Sequence, residues 1–484
     1  MLEERTAAGA LLEPYQGGTQ LTASEFYSGI GGLHYGLKAA RQDARVILSF
    51  DINDMANAVY EHNFGMKPRT VNLESVPVRL LSGGCATDIW LMSPPCQPYT
   101  RQGHRKGADD ERARSFMGLI DKIRHLNRPP KYLLVENVVG FETSSTRDDL
   151  VARLDSAGYF HAEFITTPLQ LGVPYSRPRY FLLARLKPLG AFPGFPPAHN
   201  GQAASSGIPG PRRARPTSLL PADGRPEALP IAPIREFLES DPTKHSPAAL
   251  RFAPGGYTRG EGGGGNYGAQ VAAPRGGGEQ ASGDGGGGAG REWPGPFAPY
   301  VVPESVIDRH GICFDIVTPG SRRTCCFTKA YSRYVKGAGS VLATARDASR
   351  LMRERGGLDA FEDWCYEGGD VRSTFQQGDP FLYLDRADGA GGGGAGGSGE
   401  GGSEGGELER ARFKWDGSVD AMDLTWLRDL RLRYFTPKEV ANLHSFPPAF
   451  AFPESVTLRQ RYALLGNSVS AAVVADMCRF LLAA

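Results

Sequence analysis

The sequence lacks the cysteine pattern of a disulfide-stapled or zinc-bound domain. Its 484 residues include only seven cysteines, an odd number, and no C-x-x-C pair occurs. This pattern argues against a disulfide framework and against a zinc site, so no bound metal is expected. Reduced thiols are typical of the cytoplasm or nucleus, and we expect the protein there.

Long apolar runs and an excess of one charge are also lacking. No run of about 20 apolar residues occurs, so no transmembrane helix is expected. Residues 1–20 contain acids and no long apolar stretch, unlike a signal peptide. Lys and Arg number 54 against 53 Asp and Glu, a net charge of +1. Contact with nucleic acid would therefore have to come from local basic patches.

Glycine is the residue in excess, with 63 in the chain. The excess lies in two tracts, 255–290 and 389–406, and neither repeats Gly every third residue as collagen does. We expect both tracts to be flexible, largely disordered surface loops. The segment 201–233 is rich in proline and is predicted to be a loop or linker.

Between residues 21 and 185 short apolar runs alternate with helical patterns. This alternation predicts a doubly wound α/β fold with a parallel sheet. The predicted strands are 21–27, 46–50, 88–92, 132–135, 164–167 and 180–184. The predicted helices of this part are 33–40, 55–63, 115–125 and 146–157. Further along, 234–240 and 470–482 are helix candidates, and 300–342 and 358–384 are expected to be structured.

Two motifs follow predicted strands at the edge where α/β active sites lie. Residues 26–32 read FYSGIGG, a turn that either brings helix N–H groups to a ligand or simply begins the helix. His34 occupies the third glycine position of a dinucleotide fingerprint, which disfavours NAD, while Asp51 would suit a ribose diol. Residues 93–98 read SPPCQP, and prolines on both sides of Cys96 favour a fixed nucleophile over a core cysteine.

Three further motifs have a functional and a structural interpretation. Glu136 ends a predicted strand and would either protonate a base nitrogen or cap a helix. Arg177 and Arg179 would hold an anion or a base carbonyl, or form a surface pair. The Gly-Asn-Ser motif at 466–468 precedes the last helix and would face a ligand or cap that helix.

The segment 321–336 combines cations with aromatic rings and contains no acid. This composition suits single-stranded RNA or DNA, although a solvated basic face has the same composition.

Taken together, these motifs resemble the cytosine carbon-5 methyltransferases, and in particular their tRNA-acting branch. The strings that carry the resemblance are SPPCQPYTR at 93–101, FETSSTRD at 141–148, DIV at 315–317, CFTK at 326–329 and LRYFTPKE at 432–439. Tyr99 stands where the family usually has Phe, and Pro178 separates the two arginines. The resemblance covers roughly 21–190, 298–345 and 424–484.

The resemblance implies a Rossmann-like catalytic domain at 21–190, completed by 431–484 and preceded by a flexible N-terminus at 1–20. Residues 191–430 would form a smaller target-recognition domain, with disordered insertions near 201–233, 255–292 and 387–407. The implied cofactor is S-adenosylmethionine, and the implied substrate is cytosine 38 in a tRNA anticodon loop of the tRNA-Asp type.

The resemblance also implies a covalent mechanism. Cys96 would attack ring carbon-6 of cytosine, Glu136 would protonate ring N3, and Arg179, aided by Arg177, would orient the base. Implied cofactor contacts are Phe26, Ser28, Ile30, Gly31, Gly32, Asp51, Ile52, Glu74, Ser93, Pro95, Asn467 and Ser468. Implied substrate contacts are Gln97, Arg101, Arg322, Arg323, Cys326, Phe327, Thr328 and Lys329.

Two other functions remain open at this point. A DNA cytosine methyltransferase would use the same chemistry on another polymer, and a non-catalytic RNA-binding scaffold would not need the nucleophile. We expect a monomer that does not associate with membranes.

Overall fold

The computed structural model describes residues 20–95, 111–192, 230–240, 296–354 and 425–483. Several predictions lie outside these residues: Cys96, Gln97 and Arg101, nearly all of the N-terminal segment, most of the proline-rich linker, both glycine tracts and the segment 358–384.

Six strands form the main sheet, and each corresponds to a predicted apolar run. They are β1 (Thr22–Phe26), β2 (Arg45–Phe50), β3 (Ile89–Met92), β4 (Tyr132–Val138), β5 (Tyr159–Thr166) and β6 (Arg179–Leu186). Their spatial order is β2-β1-β3-β4-β6-β5. After β2 the chain crosses to the other side of β1 to form β3, so the strand order reverses at β1. Open α/β sheets form a ligand crevice at such a switch point. The Rossmann-like α/β class is confirmed.

The prediction that all six strands run parallel was wrong at one position. β6 lies between β4 and β5 and is antiparallel to both. A parallel return from β5 would need a long crossover, usually a helix. The chain from β5 to β6 contains only a short 3-10 turn, Pro168–Leu171, so it reverses direction instead.

Helices cover both faces of the sheet, as a doubly wound fold requires. The α-helices of the described residues are α1 (Gly32–Ala40), α2 (Asp54–Phe64), α3 (Glu111–Lys122), α4 (Ser145–Ser156), α5 (Glu304–His310), α6 (Ala348–Glu354), α7 (Trp426–Asp429), α8 (Pro437–Leu443), α9 (Leu458–Gly466) and α10 (Ala471–Leu482). Of these, α5, α6 and α7 pack in a separate core cluster away from the main sheet. One core cluster contains Phe116 of α3 and Leu150 of α4. A second contains Leu37 of α1 and Met477 of α10, so these helices cover the opposite face.

The C-terminal helices form a long apolar stretch. Residues Leu458–Leu482 are long and apolar enough to span a membrane by length and composition, yet 72% of the window is buried inside the structure. The Phe480 ring lies against Phe164 and Phe192, with centroids 5.4 and 5.5 Å away. Packing on the sheet therefore accounts for the apolar character of α10.

A smaller sheet of three strands, β7 (Asp315–Val317), β8 (Ser340–Ala343) and β9 (Leu432–Tyr434), lies beside the main one. A third core cluster joins the two sheets, because it contains Ile30 from the glycine-rich turn together with Phe327 and Phe435. The predicted helix at 234–240 is a short 3-10 turn, Ile234–Phe237, which packs in the same cluster.

Candidate active site

A cavity of about 630 Å³ opens at the carboxyl ends of β1 to β4, beside the C-terminal motif. Among the predicted site residues, those that line it are Ser28, Ile30, Gly32, Asp51, Ile52, Ser93, Pro95, Glu136, Arg177, Arg179, Lys329, Asn467 and Ser468. These residues come from seven separate segments of the chain and meet around one space. The size is typical of a small-molecule or cofactor site.

The glycine-rich turn is tied to the end of β2 by hydrogen bonds. The Gly29 N–H donates to Asp51 Oδ2 at 2.7 Å, and the Ser28 N–H donates to the Phe50 carbonyl at 3.1 Å. Gly31 has φ +88°, and a Cβ there would come within 2.2 Å of the Phe64 ring. Only glycine therefore fits, which is why helix α1 can begin so close to the cavity.

The Asp51 carboxylate accepts N–H groups from two turns and can accept further hydrogen bonds. Its Oδ1 accepts the Asn53 N–H at 2.8 Å, and its Oδ2 accepts the Gly29 N–H. Burial raises the pKa of Asp51, and these N–H donors oppose that rise. The Ile52 N–H is a third donor to this carboxylate. A carboxylate has about four acceptor positions, so acceptor capacity remains for a ligand such as a ribose diol.

The chain that leads to Cys96 is anchored at the same edge. The Ser93 hydroxyl donates to the Tyr27 carbonyl at 2.8 Å, and the Asn137 side-chain amide donates to the Pro94 carbonyl at 3.3 Å. Pro94 and Pro95 both line the cavity. The two residues immediately before Cys96 therefore lie at the cavity wall.

Glu136 and Arg179 form a pair on neighbouring strands. Arg179 Nε lies 3.5 Å from Glu136 Oε1, and Glu136 is 9% exposed. Burial raises the pKa of Glu136, and the nearby Arg179 and Arg177 cations only partly offset this rise. A carboxyl that holds its proton more readily can donate that proton to a ring nitrogen.

Arg177 is buried, and its guanidinium forms hydrogen bonds with backbone carbonyl groups of two other segments. Nη1 donates to the Phe327 carbonyl at 3.1 Å and lies 3.2 Å from Cys326 Sγ. Nη2 donates to the Gly466 carbonyl at 2.8 Å and also to the Ser468 carbonyl. Arg177 therefore joins the Cys-Phe-Thr segment to the Gly-Asn-Ser segment at the cavity wall.

The predicted substrate contacts divide between the cavity and its surroundings. Lys329 lines the cavity, while Phe327 is core at 1% exposed. Burial alone would raise the pKa of the Cys326 thiol, but the Arg177 and Arg179 cations outweigh it and lower the pKa. The predicted residues outside the lining are Phe26, Gly31, Glu74, Arg322, Arg323, Cys326, Phe327 and Thr328.

Several lining residues were not anticipated from the sequence. Asn72 and Leu73 line the cavity in place of their neighbour Glu74, and Tyr27 and Ser115 line it as well. Tyr27 has φ +57°, a conformation that is costly for an aromatic residue. Its position inside FYSGIGG was a usable signal. Within the described residues, no group of three or more His, Cys, Asp or Glu side chains could hold a metal ion.

Comparison with known proteins identifies relatives over nearly the whole chain. The family model for C-5 cytosine-specific DNA methylases matches residues 21–206 and 404–481. A mouse tRNA (cytosine(38)-C(5))-methyltransferase is 32% identical, over 94% of this chain and 92% of the relative. A Dictyostelium discoideum DNA (cytosine-5)-methyltransferase is 28% identical, over 96% and 94%. The crystal structure of the S. pombe Dnmt2 methyltransferase superposes with a TM-score of 0.56 at 24% identity, covering 96% of this chain and 98% of that one.

Proposed function

Because the chain belongs to the C-5 cytosine-specific DNA methylase family, we propose that it methylates carbon-5 of cytosine 38 in a tRNA anticodon loop of the tRNA-Asp type. The observation that carries the proposal is the Glu136–Arg179 pair, which shares one cavity with Lys329 of the Cys-Phe-Thr-Lys string. The mouse relative, 32% identical, is named as a tRNA (cytosine(38)-C(5))-methyltransferase.

The cavity fits S-adenosylmethionine. Asp51 has acceptor capacity left for a ribose, and the apolar side chains of Ile30, Ile52 and Leu73 provide surfaces for an adenine ring. The glycine-rich turn lacks the third glycine of a pyrophosphate-binding fingerprint, as suits a cofactor without phosphates. When bound, S-adenosylmethionine supplies the methyl group.

The protein side chains would then activate the base. The Cys96 thiolate adds to cytosine carbon-6 while Glu136 donates a proton to N3, which leaves an enamine with a nucleophilic carbon-5. Arg179 stabilises the base beside Glu136. Once carbon-5 carries the methyl group, its proton is lost to solvent, the Cys96 thiolate departs, and the N3 proton returns to Glu136, which restores the neutral aromatic ring. The target base must leave its stack to reach this site, at lower cost in a tRNA loop than in a duplex.

Two observations favour RNA over DNA as substrate. The Cys-Phe-Thr-Lys string is typical of the tRNA-acting branch, and it lies against the catalytic groups through Arg177. The DNA alternative uses the same residues, and the Dictyostelium relative is named for it. A scaffold without activity would have no need of a raised Glu136 pKa beside a fixed arginine.

We also propose that the enzyme is a monomer of the cytoplasm or nucleus. The cysteines that the structure describes (Cys85, Cys313, Cys325, Cys326 and Cys478) are all free thiols, as is usual in reducing compartments.

The deciding experiment supplies labelled S-adenosylmethionine with a tRNA-Asp transcript, the same transcript carrying uridine at position 38, or duplex DNA. We expect label only in the transcript with cytosine 38. Cys96→Ala should abolish transfer, while Cys313→Ala, a matched loss of a half-buried thiol away from the cavity, should retain it. Label in DNA but not in tRNA would overturn the proposed substrate, and an active Cys96→Ala variant would overturn the mechanism.

A further inference from the structure

The basic segment beside the cavity contains three aromatic residues, and the structure separates their roles. Phe327 and Tyr331 are 1% and 3% exposed and meet edge to face at 4.8 Å. The Tyr331 hydroxyl donates to the Ser340 carbonyl at 2.6 Å and accepts the Phe435 N–H at 2.9 Å. Tyr334 is 67% exposed. Two of the rings therefore build the core, and the third is presented to solvent.

Tyr334 lies in a closed loop, residues 328–338. The Thr328 N–H donates to the Ala338 carbonyl at 2.9 Å and closes the base of the loop. Inside it, the Tyr334 N–H donates to the Ala330 carbonyl at 3.1 Å. Ser332 takes a left-handed conformation, φ +65°, which tightens the turn. The backbone that carries the exposed ring is therefore held in place.

The base of this loop forms part of the cavity wall. Lys329 lines the cavity, and the backbone of Thr328 and Lys329 packs directly on Gly466. A Cβ at Gly466 would come within 2.3 Å of Lys329 N, so only glycine allows this approach. The next residues after Gly466, Asn467 and Ser468, line the cavity as well. The loop is thus fixed to the wall of the proposed methyl-transfer site.

The loop also carries a concentration of positive charge. Lys329, Arg333 and Lys336 are exposed, and no acid occurs between 328 and 338. A single exposed aromatic residue is common on protein surfaces. An exposed ring among three cations, next to a site for a flipped base, is the combination that binds unstacked nucleotides.

We propose that Tyr334 is a stacking platform for a nucleobase that flanks the target cytosine, while the loop cations hold the adjoining phosphates. This inference rests on the proposed function, because it assumes a single-stranded RNA segment as the ligand. It assigns the loop a role in substrate recognition that is separate from the cofactor pocket and from the chemical step.

The test compares Tyr334→Ala and Tyr334→Phe with the wild type, using the tRNA-Asp transcript. Tyr334→Ala should raise the KM for tRNA about tenfold, as expected when one base loses its aromatic partner. Tyr334→Phe keeps the ring and should stay within about twofold of wild type. Ile312→Ala is the matched control, since Ile312 is 53% exposed in the same lobe but outside the loop. Cofactor affinity and Tm should be unchanged in all three variants.

An unchanged KM in Tyr334→Ala would overturn the inference, as would an equal loss in Tyr334→Phe, which would assign the effect to the hydroxyl. A fall in cofactor affinity or Tm would also overturn it and make the loop a structural support. Failure of the proposed function is distinguished by the wild type itself, which would then label DNA or nothing instead of tRNA.

Discussion

At the scale of single residues, the buried carboxyl of Glu136 links catalysis to stability. Burial raises its pKa above the ordinary value of 4.5, in spite of Arg179 and Arg177. The folded protein therefore resists ionising this group, whereas the unfolded chain ionises it readily. Below pH 4.5 both states hold the proton and no difference arises. As pH rises above that value, the ionising unfolded state gains relative stability and the folded state loses it.

We therefore predict opposite effects of Glu136→Gln on stability and on activity. At pH 7 to 8 the variant should melt at a higher temperature than wild type, because it removes a buried ionisable group. The difference should shrink toward zero as pH falls to about 4.5. The kcat should fall by about 10²- to 10⁴-fold, the usual contribution of a general acid.

Thermal melts across this pH range and single-turnover rates measure both effects. Glu61→Gln, an exposed carboxylate on α2, serves as the control and should change neither quantity. A Glu136→Gln variant that is less stable at every pH would show that the pair with Arg179 outweighs burial.

At the scale of elements, Arg177 is the point where three segments meet. It lies just before β6 and donates to carbonyl groups of both the Cys-Phe-Thr segment and the Gly-Asn-Ser segment. These segments lie 139 residues apart in sequence, from Phe327 to Gly466. Loss of the guanidinium would therefore disturb the target side and the cofactor side of the cavity together.

Arg177→Lys should weaken cofactor and tRNA binding together. Lysine keeps the charge but lacks the planar fork that reaches several carbonyl groups at once. Each buried hydrogen bond to a charged group contributes about 1.5–3 kcal/mol, so the loss of one or two should raise the cofactor Kd and the KM for tRNA by tenfold or more and lower the Tm.

Arg179→Lys is the matched comparison, because Arg179 makes none of these contacts to the Gly-Asn-Ser carbonyl groups. It should lower kcat and leave cofactor affinity and Tm close to wild type. If Arg177→Lys lowered kcat alone, the result would show that Arg177 acts on the reacting base and does not hold the two segments together.

The contrast between these two arginines shows what the sequence could and could not predict. All six strands of the main sheet were predictable because buried strands read as short apolar runs. The direction of β6 was not, since an apolar run has the same pattern whichever way it points. In the same way, Arg177 and Arg179 look equivalent in sequence. Only the fold shows that Arg177 bonds the carbonyl groups of Phe327 and Gly466, whereas Arg179 pairs with Glu136.

At the scale of the whole molecule, the unusual composition and the catalytic residues occupy different parts of the chain. The family model matches 21–206 and 404–481, so the glycine tract at 255–290 falls between its two matched segments. The described cavity draws its residues from 27–179, from Lys329 and from 464–469. The tract also contains few cations and few large apolar side chains. Its composition offers little to either the core or an RNA surface.

Deletion of residues 260–290 should therefore leave methyl transfer to tRNA within about twofold of wild type. Shortening a connection changes its closure free energy only slowly, by about 0.6 kcal/mol for each halving of length, so Tm should hardly move. A variant that replaces the tract with Gly and Ser at the original length separates the effect of length from that of sequence. If the deletion abolished activity while the replacement preserved it, the tract would be a needed spacer. If both abolished activity with an unchanged Tm, the tract's own side chains would take part in RNA binding. Either outcome would contradict the view that the glycine-rich insertion is separate from the catalytic machinery.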